Sequence, residues 1–334
     1  METPTLRPDT IDKLRFSADA AFAMLAGIQL DLFTPLKDGP KSAEEIAAAI
    51  DVGPGRLRLV LYCLVAAGLL TEKDGRFANT PEAAHFLVKG KTSYIGNRYL
   101  NLGHRWMAAL RTAESIRTGA PQAKLDFSSS PREEVEKFLR AINARTVPAA
   151  RTLLDKYDFS SVKTLADVGS GGAGLAITIT RACPHIKATA IDLPQVTPIT
   201  QKIVEEDGAS DRVKVIPADV TSGPLPGSFD AAVLRGFLQV LSADDARRAV
   251  KHIGAALNPG GRIYIIGQIL DDSRISPREA VGFNLTFINS YDAGESYTES
   301  EHRQWLTEAG FVEIERAKFL VGDGSGLMTA RKRD

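Results

Sequence analysis

The chain has 334 residues, 44% of them hydrophobic and 25% charged, which is material for two ordinary domains with a sizeable core and excludes a disordered or fibrous protein. Forty-one basic residues balance forty-one acidic ones, so no global field draws nucleic acid or anionic lipid, and small, moderately polar partners are expected. The amino-terminal METPTLRPDTIDKL lacks an apolar signal core, and no later apolar run approaches a membrane span, so a soluble, cytoplasmic protein is predicted.

From Ile11 to Phe33 the sequence is rich in alanine and leucine, with apolar residues spread widely round a helix. Such a helix calls for burial, for instance against a second subunit. Ser42 to Glu45 has capping-box spacing before EEIAAAI, and Pro54 opens the helix RLRLVLYCLVAA, which Gly68 closes. Leu69 to Thr80 reads as a hairpin around Asp74-Gly75, and helices followed by a small hairpin suggest a winged helix. A DNA-reading version needs an exposed basic helix, yet Leu57, Leu59, Val60, Leu61, Leu64 and Val65 leave little polar face. Residues 1–100 hold twelve Lys and Arg against twelve Asp and Glu, which also argues against DNA. Cys63 and Cys183 lie in apolar helical stretches without metal-ligand spacing, so both are expected to be reduced core residues, and no metal site is expected.

Residues 101–157 read as several helices broken by a polar turn from Gly119 to Pro131, joining two domains and walling a pocket. Beyond Tyr157 strands alternate with helices, at 163–168, 187–191, 213–216, 229–234 and 262–267, the pattern of a mostly parallel sheet. FVEIERAKFL and GSGLMTARK read as two further strands with no helix between them, an antiparallel edge pair. The expectation is an α/β chain: a winged-helix-like dimerisation domain at 1–100, a helical connector lining an acceptor pocket at 101–157, and a Rossmann-like catalytic domain at 158–334.

Within that last domain, TLADVGSGGAGL runs from Thr164 to Leu175, and Asp192 follows in ATAIDLPQV. Gly169 and Gly171 let the backbone turn sharply out of a buried strand, and a helix from Gly174 to Ala182 then points its first amides at a ligand. Asp192 falls at the carboxyl end of the next strand, where ligands bind in open α/β sheets and where an acid accepts hydrogen bonds from ribose hydroxyls. The pair fits a nicotinamide dehydrogenase or an S-adenosylmethionine (SAM) methyltransferase. Strand-to-helix turns also carry paired glycines for packing alone.

The residues further on separate the two cofactors. VKVIPAD places Asp219 at the end of the third strand, FDAAVLRGF forms the fourth, and ALNPGGRIYIIG turns through Pro259-Gly260-Gly261 into the fifth. This succession resembles the class I SAM-dependent methyltransferase fold. The resemblance narrows to the small-molecule O-methyltransferases that include plant caffeate and hydroxyindole enzymes and bacterial antibiotic-tailoring enzymes. It rests on KSAEEIAAAI, LVAAGLLTEKDGRFANTP and IRTGAP in the amino-terminal part, and on DVGSGGAG and DLP in the catalytic part. Ala173 stands where that family usually has its third glycine. The resemblance implies a homodimer and SAM as cofactor, with S-adenosylhomocysteine as product. Gly169 and Gly171 would form the cofactor turn, Asp192 and Leu193 would hold the ribose, Ala218, Asp219 and Val220 would flank the adenine, and Arg235 would contact the cofactor. Plainer roles for two of these are a turn cap for Asp219 and a surface charge for Arg235.

In that family the fourth strand leads into a pattern such as LRRVLHDWxDE, whose histidine takes the acceptor's proton. This chain reads LRGFLQVLSADD, and from Leu234 to Pro259 the spacing has no gap, so the histidine position falls on Gln239. Glutamine is no general base near neutral pH, and Gly267 and Gln268 stand where a carboxylate often ends the fifth strand. General-base catalysis contributes about a hundredfold to ten-thousandfold, whereas proximity and orientation reach about 7 to 11 kcal/mol, so losing the base need not abolish methyl transfer. A phenolate, enolate or carboxylate acceptor fits best, oriented by Gln239. His104, in NLGHRWMAAL, is a substitute base beside Trp106, which offers a stacking surface for a flat substrate; a structural histidine is the alternative. Asn284 and Phe287 match the segment lining the acceptor pocket, with Asn143 a further candidate, and core packing competes as the role of Phe287. The leading expectation is a SAM-dependent methyltransferase for a small aromatic or polyketide-like acceptor. A SAM-binding relative that keeps its methyl group, as a hydroxylase or pericyclase, and a SAM-sensing winged-helix regulator are the alternatives.

Overall fold

The computed structural model describes residues 6–100, 102–319 and 325–334. Contacts divide the chain into two units, Met1–Met107 and Ala108–Asp334, so the helical stretch predicted as a connector falls mostly within the second.

The first unit opens with α1 (Asp9–Gln29), followed by a short strand β1 (Lys41–Ser42) and α2 (Ala43–Ala49). The predicted capping box is present: Ser42 Oγ accepts from the Glu45 amide at 3.2 Å while Glu45 Oε2 accepts from the Ser42 amide at 2.7 Å. Next come α3 (Pro54–Ala66), the hairpin β2 (Leu70–Lys73) and β3 (Arg76–Asn79), and α4 (Pro81–Phe86). The sheet order is β1-β3-β2, antiparallel throughout. Leu32, Phe33, Ile46, Leu61, Leu64 and Phe77 form its core.

This core uses only part of the apolar surface. On α3 Leu57, Leu61 and Leu64 are buried, one stripe at helical spacing, while Leu59 and Tyr62 stay 65% and 50% exposed. Cys63 lies on that second face and is exposed, and Cys183 is half-buried, which corrects the expectation that both thiols sit in the core. An apolar helix was read as buried all round, whereas one stripe suffices to hold it. Ile11, Leu14, Phe16 and Phe22 of α1 are likewise exposed. The helix α5 (Leu102–Ala109) crosses the boundary between the units.

The second unit contains α6 (Thr112–Thr118), α7 (Arg132–Lys156), β4 (Thr164–Val168), α8 (Gly174–Ala182), β5 (Lys187–Asp192), α9 (Thr197–Glu206), β6 (Val213–Pro217) and β7 (Phe229–Arg235). It continues through α10 (Ala243–Ala256), β8 (Leu257–Gln268), α11 (Arg278–Ser290), α12 (Glu299–Glu308), β9 (Phe311–Lys318) and β10 (Ser325–Lys332). Seven strands lie in the order β6-β5-β4-β7-β8-β10-β9, with β10 antiparallel to both of its neighbours. Alternate strand residues face opposite layers: Leu165, Ala231 and Tyr264 pack towards α7 and α8, and Ala166, Ala232 and Ile263 towards α10 and α12. Covering both faces explains why these strands read as continuous apolar runs.

The predicted final pair is antiparallel, but the later strand takes the inner place, between β8 and β9. A second difference concerns Pro259-Gly260-Gly261, which lies inside β8 rather than ahead of it. Phe229 pairs Leu257 whereas Ala231 already pairs Arg262, so the extra residues are accommodated as an irregularity in the ladder. Among the described residues no helix is long and apolar enough to cross a membrane.

Candidate functional site

The strand order reverses at β4, whose neighbours β5 and β7 run on either side of it. The crevice beyond the carboxyl ends of β4 and β7 is the usual ligand position in such a sheet, with the end of β5 beside it. Here the chain leaves β4 through Gly169, with φ of +65°. A Cβ at Gly169 would stand 2.5 Å from the Phe237 ring, so both backbone conformation and packing require glycine. At the helix entry Ala173 adopts φ of +57°, a left-handed conformation unusual for a residue with a side chain. The position where the resemblance expects a third glycine thus keeps the glycine-like backbone.

Asp192 ties this turn to β5. Its Oδ2 accepts from the Gly171 amide at 2.7 Å and its Oδ1 from the Leu193 amide at 2.8 Å, while Thr200 Oγ1 donates to the Gly171 carbonyl at 2.6 Å. Burial pushes the Asp192 carboxyl above its usual range, with the two amide donors opposing the shift. Each carboxylate oxygen has two lone-pair sites, so both retain capacity for ribose hydroxyls. Nearby Asp167, fully buried in β4, accepts from the Ala176 amide at 3.0 Å and anchors the start of α8. Its carboxyl is pushed up to about 7, chiefly by burial. Ser170 Oγ, in the turn itself, is buried and has no hydrogen-bond partner among the described residues. A carboxylate with spare acceptor capacity and an unsatisfied hydroxyl together fit a ribose-bearing, polar cofactor.

The adenine-side candidates lie beside this turn. The Ala218 amide donates to the Asp192 carbonyl at 2.8 Å, placing the end of β6 against β5. Asp219 is exposed and accepts from the Thr221 amide, Thr221 Oγ1 and Ser222 Oγ, so its carboxylate clasps its own turn. Those bonds, led by Ser222, hold its carboxyl below the usual range. Val220 is buried, and its carbonyl lies 2.8 Å from His252 Nδ1, which must therefore carry the proton. The sequence assigned His252 no role; only the fold brings α10 over this loop.

At the carboxyl ends of β7 and β8 the second candidate region is built from amides. Arg235 ends β7, half-buried, in register with Ile266. Gln239 follows in the short turn Leu238–Val240, and its Oε1 accepts from the Gln268 amide at 2.7 Å. A Cβ at Gly267 would stand 2.6 Å from that same Oε1. Gly294 packs its backbone against Gln239 and Val240, and the Ser296 amide donates to Asn284 Oδ1 at 2.8 Å. Asn284 on α11 therefore joins the Gln239 corner through the 291–298 loop. Phe287 is 2% exposed and packs against Phe283 and Tyr291, a core residue of this helix.

Other candidates lie elsewhere. Asn143 of α7 sits on the glycine turn, in the space that a Cβ at Gly172 or Gly174 would need, so the structure places it against the cofactor turn rather than near Gln239. His104 and Trp106 belong to the first unit; His104 is exposed, and Trp106 meets Phe22 of α1 edge-on at 5.0 Å. Trp106 thus already has an aromatic partner within its own unit.

Comparison with known proteins agrees with this architecture. A family model for the O-methyltransferase domain matches residues 118–312, and one for the O-methyltransferase dimerisation domain matches residues 14–89. The 3-hydroxy-5-methyl-1-naphthoate 3-O-methyltransferase of Streptomyces sahachiroi is 30% identical, over 92% of this chain and 91% of its own length. The tetracenomycin polyketide synthesis 8-O-methyl transferase TcmO of Streptomyces glaucescens is 29% identical, over 92% of each chain. Among solved structures, human N-acetylserotonin methyltransferase in complex with SAM superposes with a TM-score of 0.76 at 20% identity, covering 100% of each chain. With the catalytic-domain model spanning more than half of its length, the chain belongs to the O-methyltransferase family and is a SAM-dependent methyltransferase.

Proposed function

We propose that this enzyme methylates an acidic hydroxyl of a small aromatic or polyketide-like acceptor. The carrying observation is the brace between Asp192 and Gly171, at the point where the sheet order reverses, with the Gln239 corner on the neighbouring strand ends. When bound, SAM supplies an electrophilic methyl group on its sulfonium. Asp192 would accept from the ribose hydroxyls, Ser170 Oγ offers a further polar contact, and Ala218 and Val220 flank the adenine side. Arg235, Leu193 and Asp219 complete the cofactor edge. Asn284 shapes the acceptor side, with Phe287 packed in the core behind it, and Gln239 orients the acceptor oxygen. Orientation, rather than proton removal by a histidine, then carries the rate.

The exposed apolar residues of α1 and α3 support a homodimer formed through the first unit, whose α2, α3 and small antiparallel sheet support a winged-helix reading. Charge balance and sequence support a cytoplasmic setting, and neither nucleic acid nor membrane is a partner in this reading. A donor-binding relative that retains its methyl group and a winged-helix regulator are not favoured, since the relatives matched along the whole chain are named as methyltransferases. Incubation with methyl-labelled SAM and a panel of phenols and hydroxyquinones tests the proposal. One S-adenosylhomocysteine is expected per methyl ether formed; tight SAM binding without product from any acceptor would sink it.

A further inference from the structure

The polarity of the Gln239 amide is fixed by its partner. A main-chain N–H donates only, so the Gln239 atom 2.7 Å from the Gln268 amide has to be the carbonyl oxygen. The side-chain nitrogen then lies 3.7 Å from the Cβ position of Gly236 and has no protein acceptor among the described residues. Among the described residues it is not one of the sealed, unpartnered polar atoms, so it keeps some access to solvent. The Gln239 side chain is half-buried, and its backbone is pressed against the Gly294 loop, which limits rearrangement. Gly267 completes the arrangement: any Cβ there would displace the amide oxygen from its place. The two departures from the family pattern are therefore one device, since the glycine makes room for the glutamine.

Charged and titratable groups on the surrounding elements are engaged elsewhere. Asp292 pairs with Lys124, Glu295 with Arg274, and Asp271 with Arg316. Tyr297 donates to the Leu241 carbonyl, and burial holds the Tyr291 hydroxyl in its neutral form.

Resting on the methyltransferase reading above, we infer that Gln239 is a specificity-determining residue that presents only N–H donors to the acceptor oxygen and selects acceptors already ionised. The acceptor loses its proton to solvent before or on binding. Its oxygen then bonds the methyl carbon as the carbon–sulfur bond breaks, the electron pair staying on the sulfur of the departing thioether. A hydrogen bond from a neutral amide to an anion is stronger than one to a neutral oxygen, so ionised phenols are held more tightly than neutral ones.

The test separates this inference from turnover. The full-length protein, saturated with S-adenosylhomocysteine, is titrated with 4-nitrophenol, whose phenolate has its own visible absorption band. The bound phenol should ionise about one pH unit below the free one, a tenfold preference for the anion. Gln239→Glu keeps the acceptor for the Gln268 amide but replaces the donor by an anion, so the preference should vanish while S-adenosylhomocysteine affinity holds. Gln239→Met, which removes donor and acceptor together, should also lose it. An unshifted or raised ionisation point in the natural protein, no nitrophenolate binding, or an undiminished preference in Gln239→Glu would each overturn the inference. Absence of methyl transfer to every acceptor would instead count against the methyltransferase reading and leave this binding result to be judged separately.

Discussion

Two corners of one sheet are built by different means. At the ends of β4 and β5, backbone amides are gathered by one half-buried carboxylate: the Gly171 and Leu193 amides both donate to Asp192. At the ends of β7 and β8, a neutral side-chain amide is held by one main-chain donor, Gln268. The first arrangement is over-determined by backbone conformation, burial and charge, and it suits a cofactor of constant shape. The second hangs on a single hydrogen bond and one missing Cβ, and so can be retuned by few substitutions as the acceptor changes. A site can thus keep its donor chemistry while its acceptor chemistry drifts.

The largest effect that would sharpen this contrast is expected from Asp192→Ala. It strands two half-buried amide donors, at about 1 kcal/mol each, and removes the ribose acceptor. Calorimetry should show SAM affinity falling about 100-fold or more, and a lower melting temperature; unchanged affinity would break the comparison at its firmer end. Gly267→Ala acts at the other corner. It should lower kcat/KM about tenfold, the value of one modest hydrogen bond, while leaving SAM affinity intact. Should SAM binding weaken as much as in Asp192→Ala, the two corners are not separable.

A pH effect follows for the firmer corner. In the unfolded chain Asp167 ionises near 3.8, whereas in the fold it holds its proton to about 7. Below the first value both states are protonated; between the two only the folded state is, so stability falls as pH rises through that window. Asp167→Asn, which can still accept from the Ala176 amide, should melt progressively higher than the natural protein from pH 4 to 7 without SAM. A difference that stays constant with pH would contradict this. The smallest effect is expected from Ala173→Gly. Relief of a left-handed alanine, about 1 to 2 kcal/mol, is largely offset by glycine's chain entropy and the lost buried methyl. A net stabilisation of about 0.5 kcal/mol should appear in denaturant unfolding, and destabilisation would show that the methyl matters more than the backbone.

The same contrast explains what the sequence disclosed. Gly169, Gly171 and Asp192 are legible because a turn and a strand end leave local signatures, and so are the capping box at Ser42 and the helix from Gly174. The absence of a histidine at Gln239 was also visible. Its meaning was not, since the bond to Gln268 joins residues twenty-nine positions apart and depends on how β7 and β8 align. The place of Asn143 was hidden for a similar reason: only the packing of α7 on α8 shows that it fills the space above Gly172 and Gly174. Cys63 shows the limit of hydrophobicity as a guide to burial, because α3 carries two apolar faces and its own unit covers one.

The exchange of places between β9 and β10 sets an order on synthesis. β9 has no partner in the sheet except β10, which is made after it, while β8 is left with an open, apolar edge until β10 arrives. While β9 and β10 are still inside the ribosome, the nascent chain therefore holds out an uncapped β8 edge, ready to pair with a neighbouring chain. For this fold, the vulnerable moment for aggregation lies late in translation, when nearly all of the sheet already exists.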